Sequence, residues 1–262
     1  MNNAIEKQLQ ESFPWQRSKF HTDYNQVLTH FKVQSCIEHA VGDSLLDIAC
    51  GDGMLTALFA QHFKCVVGVD ASSTHLAAAR ARVPTAVFYD ALIEEFTTTQ
   101  RFDSVFMLDL LEHVADPVAV LKKAASFLKP GGRLIVHVPN CDAVNRKIAV
   151  LMGTLTSCDE LSPFDLQVAG HRRSYNLSSL RNDIHLAELV VRNTGGIFYK
   201  MLSTPQMDWF LKNGLWDSGH GWGRTGQETA KDWKLEFCHA CNEFGKQHPE
   251  DCNIIYACIT RP

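Results

Sequence analysis

Short apolar runs alternate with segments of helical length between residues 44 and 140. The runs have the length of strands and are apolar almost throughout, which is typical of strands buried on both faces of a parallel sheet. The pattern therefore predicts an α/β domain with helices on both faces of the sheet. In open sheets of this kind, ligands bind beyond the carboxyl ends of the strands. The runs are LLDI, CVVGVD, AVFYDA, FDSVFMLD and RLIVHVPN.

A glycine turn follows the first run, in LLDIACGDGMLTALFA (Leu45–Ala60). A turn of this kind between a strand and a helix lets a ligand approach the backbone. A dinucleotide fingerprint, G-x-G-x-x-G, needs a third glycine, but Thr56 stands there, so the evidence for NAD is weak. Asp70 ends the second run, where a carboxylate can accept hydrogen bonds from a ribose diol. Asp90 ends the third run and, with the small residue after it, suits an adenine ring.

Five motifs in order resemble those of the class I S-adenosylmethionine-dependent methyltransferases: LLDIACGDGMLT, VVGVDAS, YDA, LLEHVADP and LKPGGRLIVHVPN. The resemblance covers residues 44–140 and is strongest to small-molecule enzymes that carry an LEHV-DP segment. It implies a Rossmann-like, seven-stranded, mostly parallel sheet whose last strand is antiparallel, and NIIYACIT could supply that strand. It also implies S-adenosylmethionine as cofactor and S-adenosylhomocysteine as product. The cofactor-binding residues implied are Asp47, Ala49, Gly51, Gly53, Asp70, Ala71, Asp90, Ala91 and Leu108.

The domain organisation follows from where the motifs begin and end. We expect residues 1–43 to form an N-terminal helical lid, with Arg17, Lys19, His21 and Tyr24 over the cofactor, and residues 44–140 to form the cofactor-binding core. Residues 141–262 should supply a helical and irregular insertion on the acceptor side and then complete the same domain. A strand is predicted from Leu189 to Thr194, and the KPGG stretch at residues 129–132 is predicted to be a helix stop and tight turn.

The segment LDLLEHVADP carries the first candidate catalytic residue, His113. On a helical turn, the spacing of Asp109, Glu112 and His113 would place all three on one face, near the cofactor's methyl group. His113 is then a general base or an acceptor-positioning residue, with a purely structural role as the alternative. A resembling subset, which includes ubiquinone-pathway O-methyltransferases and small-RNA 2'-O-methyltransferases, binds a divalent cation through E-x-x-E-H. Because Asp109 makes this motif D-x-x-E-H, the match is imperfect and we expect no metal; the less favoured alternative is a divalent cation bound by Asp109, Glu112 and His113.

His171, in GHRRSYNLSSL, is the second candidate for acid–base chemistry or acceptor contact. In the resembling family, this motif opens a helix on the acceptor side, with Asn176 or Ser178 as its cap. Arg172 and Arg173 could bind an anionic substrate group, although exposed charge is the simpler interpretation.

The cysteines of the chain offer a competing metal site. Cys238, Cys241, His248 and Cys252 can be drawn around a zinc ion, but Cys238 and Cys241 also have helical spacing, which favours an ordinary packed helix. Cys50, in the glycine turn, is interpreted as a small buried apolar residue rather than as a nucleophile.

Composition sets the remaining expectations. The net charge of −4 gives no basic footprint for nucleic acid, so we expect a small-molecule acceptor. We predict a cytoplasmic protein with no membrane partner, because the N-terminus is polar, no long apolar run occurs and the number of cysteines is odd. We also expect a monomer or a homodimer. The predicted reaction is methylation of a hydroxyl oxygen with a histidine base. The alternatives are N-methylation of a small amine, a non-catalytic S-adenosylmethionine-binding subunit and, more remotely, an NAD-dependent oxidoreductase.

Overall fold

The computed structural model describes residues 7, 8, 11, 22–216 and 232–262. In this part of the chain, seven strands form one sheet in the order β3-β2-β1-β4-β5-β7-β6. The strands are β1 (Ser44–Ile48), β2 (Cys65–Asp70), β3 (Val87–Asp90), β4 (Phe102–Leu108), β5 (Leu128–Pro139), β6 (Val190–Tyr199) and β7 (Cys252–Thr260).

Helices connect the strands, and side-chain caps begin several of them. Asp116 caps α4 and Asn176 caps α6, as one of the two residues predicted for that role. The helices are α1 (Asp23–His39), α2 (Met54–Phe59), α3 (Ser73–Arg82), α4 (Pro117–Ser126), α5 (Val144–Leu151), α6 (Leu177–Leu186), α7 (Thr204–Asn213) and α8 (Trp233–Gln247). A π-helical turn (Asp165–Ala169) and a 3-10 turn (Pro249–Asp251) complete the elements.

The strand directions confirm the predicted sheet. Strands β1 to β5 pair in parallel, whereas β7 runs antiparallel to both of its neighbours, β5 and β6. Strand β6 therefore has the same direction as β5, and six carboxyl ends meet at one edge of the sheet. This edge is where a ligand is expected in such a fold.

Two local predictions differ from the structure. Strand β6 continues past Thr194 to Tyr199, because Gly195 and Gly196 lie inside the sheet rather than after it. A Cβ atom at Gly195 would come within 2.5 Å of the Tyr256 hydroxyl, so close packing requires glycine there. The KPGG stretch lies inside β5, because α4 already ends at Ser126. In place of the predicted tight turn there is a bulge, where β5 shifts its register against β4.

The apolar core lies on both faces of the sheet. One cluster joins the sheet to α4 and α6, and another joins α1, α7 and α8 to the end of β6. Within the described residues, no helix is both long and apolar enough to cross a membrane.

Candidate active site

A cavity of about 1080 Å³ follows the carboxyl edge of the sheet. Residues that come directly after successive strands line it: Ala71 after β2, Asp109 after β4, Asn140 after β5 and Lys200 after β6. Since strands lie about 4.8 Å apart, the five spacings from β2 to β6 give the cavity a length of roughly 24 Å. We call the part at β2, β1 and β4 the cofactor end and the part from β4 to β6 the acceptor end.

At the cofactor end, the carboxylate of Asp70 ties two turns together. Its Oδ2 accepts a hydrogen bond from the Gly51 N–H at 2.8 Å, and its Oδ1 accepts one from the Ser72 N–H at 2.9 Å. Gly51 and Ala49 both have a left-handed backbone, with φ of 54° and 59°. A Cβ on Gly51 would meet no atom within 4 Å, so the turn presents bare backbone to the cavity.

Five of the nine predicted cofactor-binding residues line the cavity, namely Ala49, Gly51, Asp70, Ala71 and Ala91. The other four lie outside its wall, and their contacts give three of them structural roles. The Thr56 hydroxyl donates to Asp47 at 2.6 Å, and burial raises the pKa of Asp47 to about 7. Gly53 allows α2 to approach α3, and Leu108 packs in the core. Asp90 forms an ion pair with Lys7, whose Nζ is 2.7 Å away.

The N-terminal segment contacts the cofactor end at two points. Besides the Lys7–Asp90 ion pair, Glu11 accepts a hydrogen bond from the Ser73 N–H at 2.6 Å. The predicted lid residues Arg17, Lys19 and His21 lie outside the described residues. Tyr24 does not cover the cofactor end, because it is buried with its ring edge-on to Phe198, at 5.4 Å between ring centroids.

The segment after β4 is a series of turns and bends, not the regular helical turn that the spacing of Asp109, Glu112 and His113 suggested. Asp109 has a φ of 51°, which breaks helical geometry at the first residue of the motif. Asp109, Glu112 and His113 nevertheless all line the cavity. Lys32 of α1 forms an ion pair with Asp109. Burial alone would raise the pKa of Asp109, but the Lys32 ammonium outweighs it and holds that pKa below its usual range.

Glu112, His113 and His171 form a compact cluster, with one ligating atom of each within 4.8 Å of the others. The two imidazole centroids are 5.0 Å apart with the rings nearly perpendicular. His113 Nδ1 is 3.2 Å from the Gly170 carbonyl, so we assign its proton to Nδ1. His113 Nε2 then points toward Glu112, at 3.9 Å from Oε1. His171 Nδ1 lies 3.7 Å from a carboxylate oxygen of Asp165.

Burial determines the charges of this cluster. It lowers the pKa of His113 to about 4, with a contribution from nearby His171, and it also lowers the pKa of His171. Burial raises the pKa of Glu112 well above its usual range, and the charge of Asp109 adds to this. Neither carboxylate oxygen of Glu112 has a hydrogen-bond partner among the described residues. The cluster therefore offers neutral imidazoles, able to accept a proton, and an acid that still needs a proton or a cation.

The two arginines after His171 contact the turn that follows β4, Arg173 through its side chain and Arg172 through its backbone. The Arg173 guanidinium donates to the carbonyls of Leu111, Val114 and Ala115, and the Arg172 N–H donates to the Glu112 carbonyl at 2.8 Å. Neither arginine lines the cavity. The contacts of Arg173 fasten the segment of His171 to that of His113, which neither the anion-binding nor the exposed-charge interpretation included.

The positions of Cys238, Cys241, His248 and Cys252 do not support the zinc alternative. Cys238 and Cys241 lie on α8, and Cys238 is buried in the core, as an ordinary packed helix requires. Cys252 Sγ lies 3.2 Å from the Gly245 carbonyl oxygen and, among the described residues, not in a cluster with both other cysteines. Cys50 is buried, as predicted.

The lysine and arginine residues that line the cavity in the described part of the chain are absent from the sequence-based prediction: Lys32, Arg146 and Lys200. Lys200 directly follows a strand, so the rule that ligands gather at strand ends points to it once the end of β6 is known. No local signal marks Lys32 or Arg146, because their partners Asp109 and Asp165 are distant in the sequence.

Comparison with known proteins gives a family. A family model described as "Methyltransferase domain" matches residues 21–194. A ubiquinone biosynthesis O-methyltransferase of Rhodopseudomonas palustris is 36% identical over 113 residues, which is 42% of this chain and 44% of the relative. One of the same name from Coxiella burnetii is 32% identical over 123 residues, 45% of this chain and 50% of the relative. The chain thus matches about half the length of these curated relatives.

Solved structures share the fold. A magnesium protoporphyrin IX methyltransferase from Synechocystis, with bound S-adenosylhomocysteine, has a TM-score of 0.58 at 15% identity and covers 100% of both chains. The N-methyltransferase NodS from Bradyrhizobium japonicum, in complex with the same compound, has a TM-score of 0.57 at 11% identity over 100% of both chains.

Proposed function

This chain belongs to the family of methyltransferase domains, and from that premise we propose that it transfers a methyl group from S-adenosylmethionine to a hydroxyl oxygen of a small molecule. The observation that carries the proposal is the pair of largely enclosed histidines, His113 and His171, whose ring centroids are 5.0 Å apart in the wall of the cavity that also contains the Asp70 turn. The proposed donor site and the base would thus share one cavity. The matched relatives are O-methyltransferases by name, which supports oxygen as the acceptor atom.

The cofactor end suits the donor. Asp70 would accept hydrogen bonds from the ribose hydroxyls, since each of its oxygens now accepts a single backbone N–H and has a further lone pair. The bare backbone at Gly51 would receive the methionine part, and Ala91 would flank the adenine. The contacts of Lys7 and Glu11 support an N-terminal lid over this end. We retain residues 1–43 as that lid, with residues 44–140 as the core and residues 141–262 as the acceptor-side part.

The histidines would supply the proton transfer that O-methylation needs. The acceptor hydroxyl gives its proton to a neutral imidazole, its oxygen attacks the methyl carbon, and the carbon–sulfur bond breaks to leave the neutral thioether S-adenosylhomocysteine. We assign the proton acceptor to His113 and the positioning of the acceptor hydroxyl to His171. General-base catalysis of this kind contributes about 10²- to 10⁴-fold to a rate.

A divalent cation bound by Glu112, His113 and His171 is a second candidate for activating the hydroxyl. The observation that favours it is Glu112, a buried carboxylate whose two oxygens lack a hydrogen-bond partner among the described residues. A cation there would lower the pKa of the hydroxyl instead of accepting its proton. A carboxylate and two imidazoles form a donor set that binds transition metals more readily than magnesium.

The test begins with the donor. Isothermal titration should show binding of S-adenosylhomocysteine, and labelled S-adenosylmethionine should transfer its methyl group to a member of a catechol and phenol panel. His113→Asn should lower kcat by about 10²-fold or more with donor affinity changed less than about twofold. His185→Asn, on the exposed side of α6, is the matched control.

The outcomes separate the candidates. Turnover by His113→Asn close to that of the parent protein would refute the base. Donor binding without methylation of any hydroxyl would favour a non-catalytic subunit, and methylation of amines alone would favour the N-methyl alternative. Loss of turnover in a chelator, with recovery on adding one metal and a Glu112→Gln variant that does not recover, would establish the cation.

A further inference from the structure

Lys200 is a buried cation in the wall of the acceptor end. It follows the last residue of β6 and is 4% exposed. Its Nζ donates a hydrogen bond to the Thr204 hydroxyl at 3.1 Å and lies 4.8 Å from the centroid of the Tyr24 ring. A buried ammonium with one neutral hydrogen-bond partner is costly unless something compensates its charge.

The other long basic side chains of the wall are already neutralised. Lys32 is paired with Asp109, and the Arg146 guanidinium is 3.1 Å from an Asp165 oxygen. Lys200 differs from both, because no carboxylate oxygen of the described residues lies within 4.0 Å of its Nζ.

The charged groups that act on Lys200 come from two elements. Burial has the largest effect and lowers the pKa of Lys200 to about 7. Asp208 of α7 raises that pKa, but its carboxylate accepts the Tyr24 N–H at 2.8 Å and forms no ion pair with Lys200 in the described structure. Arg146 of α5, which also lines the cavity, lowers that pKa. An anion beside the ammonium would reverse the effect of burial.

The position of Lys200 decides what it can do. Strand β6 is three strands from β4, so Lys200 lies about 14 Å along the sheet edge from the residues that follow β4. That separation is too large for Lys200 to take a proton from the oxygen that His113 serves. It suits contact with a group at the far end of the acceptor. The N-terminus of α7, beside Thr204, adds a favourable field for negative charge.

We propose that Lys200 binds an anionic group of the acceptor, a carboxylate in the first instance, at the end of the molecule remote from the hydroxyl that is methylated. The inference rests on the proposed function for the identity of that hydroxyl. It assigns the acceptor to hydroxy acids rather than to neutral alcohols or amines. Lys200 is thus a specificity residue, and it lies beyond residues 44–140, which the motifs cover.

The probes are 3,4-dihydroxycinnamate and its methyl ester, a matched pair that differs by one negative charge. Titration calorimetry measures the binding of each to protein saturated with S-adenosylhomocysteine. The parent protein should bind the acid at least about tenfold more tightly than the ester, as expected for one charge-assisted hydrogen bond. Lys200→Met should bind both within about threefold of each other. Lys122→Met, at an exposed surface lysine, should keep the preference.

A thermal melt of the ligand-free variants controls for folding. Lys200→Met should be at least as stable as the parent protein, because methionine fills a similar volume without a buried charge. Equal affinity of the parent protein for acid and ester, or a preference that persists in a folded Lys200→Met, would overturn the inference; so would failure of the acid to bind.

The two proposals fail separately. A protein that binds S-adenosylhomocysteine and methylates catechols without preferring the acid refutes the anion site and leaves the methyltransferase assignment intact. A protein that binds the acid through Lys200 but transfers no methyl group to any acceptor refutes the proposed reaction alone.

Discussion

Replacing Asp70 by asparagine tests the cofactor end most directly. Asp70 holds the Gly51 and Ser72 amides through both of its oxygens and, in the proposed complex, also accepts the ribose hydroxyls. Asparagine has nearly the same shape as aspartate, but one of its two terminal atoms is an NH2 group, which cannot accept a hydrogen bond from an N–H or O–H donor. The asparagine side chain also carries no negative charge. A hydrogen bond to a charged group contributes about 1.5–3 kcal/mol, so the affinity for S-adenosylhomocysteine should fall by roughly 10- to 150-fold.

The same substitution should change the free energy of unfolding much less than it changes the affinity for S-adenosylhomocysteine. Burial raises the pKa of Asp70, so folding disfavours its ionised form, and the stability tied to this carboxyl is lost as the pH rises through its folded-state pKa. The neutral asparagine removes this cost but leaves one of the two backbone amides without an acceptor, so the two effects on the free energy of unfolding at pH 7 oppose each other and the net change should be small. A large loss of affinity with a small change in stability is the expected signature.

Asp103→Asn is the matched control, because Asp103 lies at the opposite edge of the sheet, after the first residue of β4. Burial opposes its ionisation, but hydrogen bonds from Ser44 and Lys129 prevail and lower the pKa of Asp103 to about 2 from 3.8. Because solvent screens this partly exposed carboxylate, the shift corresponds to about 1–2 kcal/mol of stability, present above pH 4 and lost as the pH falls through 2. Asp103→Asn should thus lower stability and leave donor affinity unchanged.

Calorimetric titration with S-adenosylhomocysteine and urea denaturation at pH 7 measure the two quantities. A change in affinity of less than about threefold in Asp70→Asn would refute the assignment of Asp70 to the ribose. Equal losses of affinity and stability in both variants would show that the two aspartates act only on the fold.

Three further predictions concern residues around the acceptor end. Lys32→Met and Asp109→Asn should each destabilise the protein. In denaturant titrations, the double variant should lose about 1–3 kcal/mol less free energy of unfolding than the sum of the two single losses. Additive losses would show that the two charges are not coupled. Burial lowers the pKa of His137 to about 3, so stability is lost as the pH falls below 6.5, and His137→Leu should gain about 2 kcal/mol relative to the parent protein between pH 6.5 and 4.5. A constant difference over that range would contradict burial as the cause. Arg173→Gln should lower kcat and increase the rate of amide hydrogen exchange in the turn after β4, because three carbonyls lose their hydrogen-bond donor, while the affinity for S-adenosylhomocysteine stays the same. Unchanged exchange would show that the turn is stable without Arg173.

The strands of the core could be predicted because burial on both faces leaves a continuous apolar run in the sequence. The end of β6 could not, since Gly195 and Gly196 resemble a turn until Tyr256 of the neighbouring strand is known to need the space. The glycines of the KPGG stretch were misleading for the same reason, because their role depends on a neighbouring strand. Helix α4 stops two residues before Leu128, and the glycines then serve a bulge between paired strands.

The sequence predicted which residues of the segment after β4 lie near one another, but not the backbone geometry that brings them together. Helical spacing selected Asp109, Glu112 and His113, yet the left-handed backbone of Asp109 excludes a helix there. Their common position in the cavity depends on long-range contacts, chiefly those of Arg173 with the turn. His171 joins the cluster through the same contacts, which no local pattern in the sequence records.

The first position of the D-x-x-E-H motif bears on the choice between a base and a cation. In the resembling subset that position holds a glutamate that binds metal, whereas here Asp109 is neutralised by Lys32. A cation at the cluster would therefore depend on Glu112 and the two histidines alone. The pairing of Asp109 with Lys32 removes the first carboxylate of the motif from the set of available ligands, and this favours the histidine base.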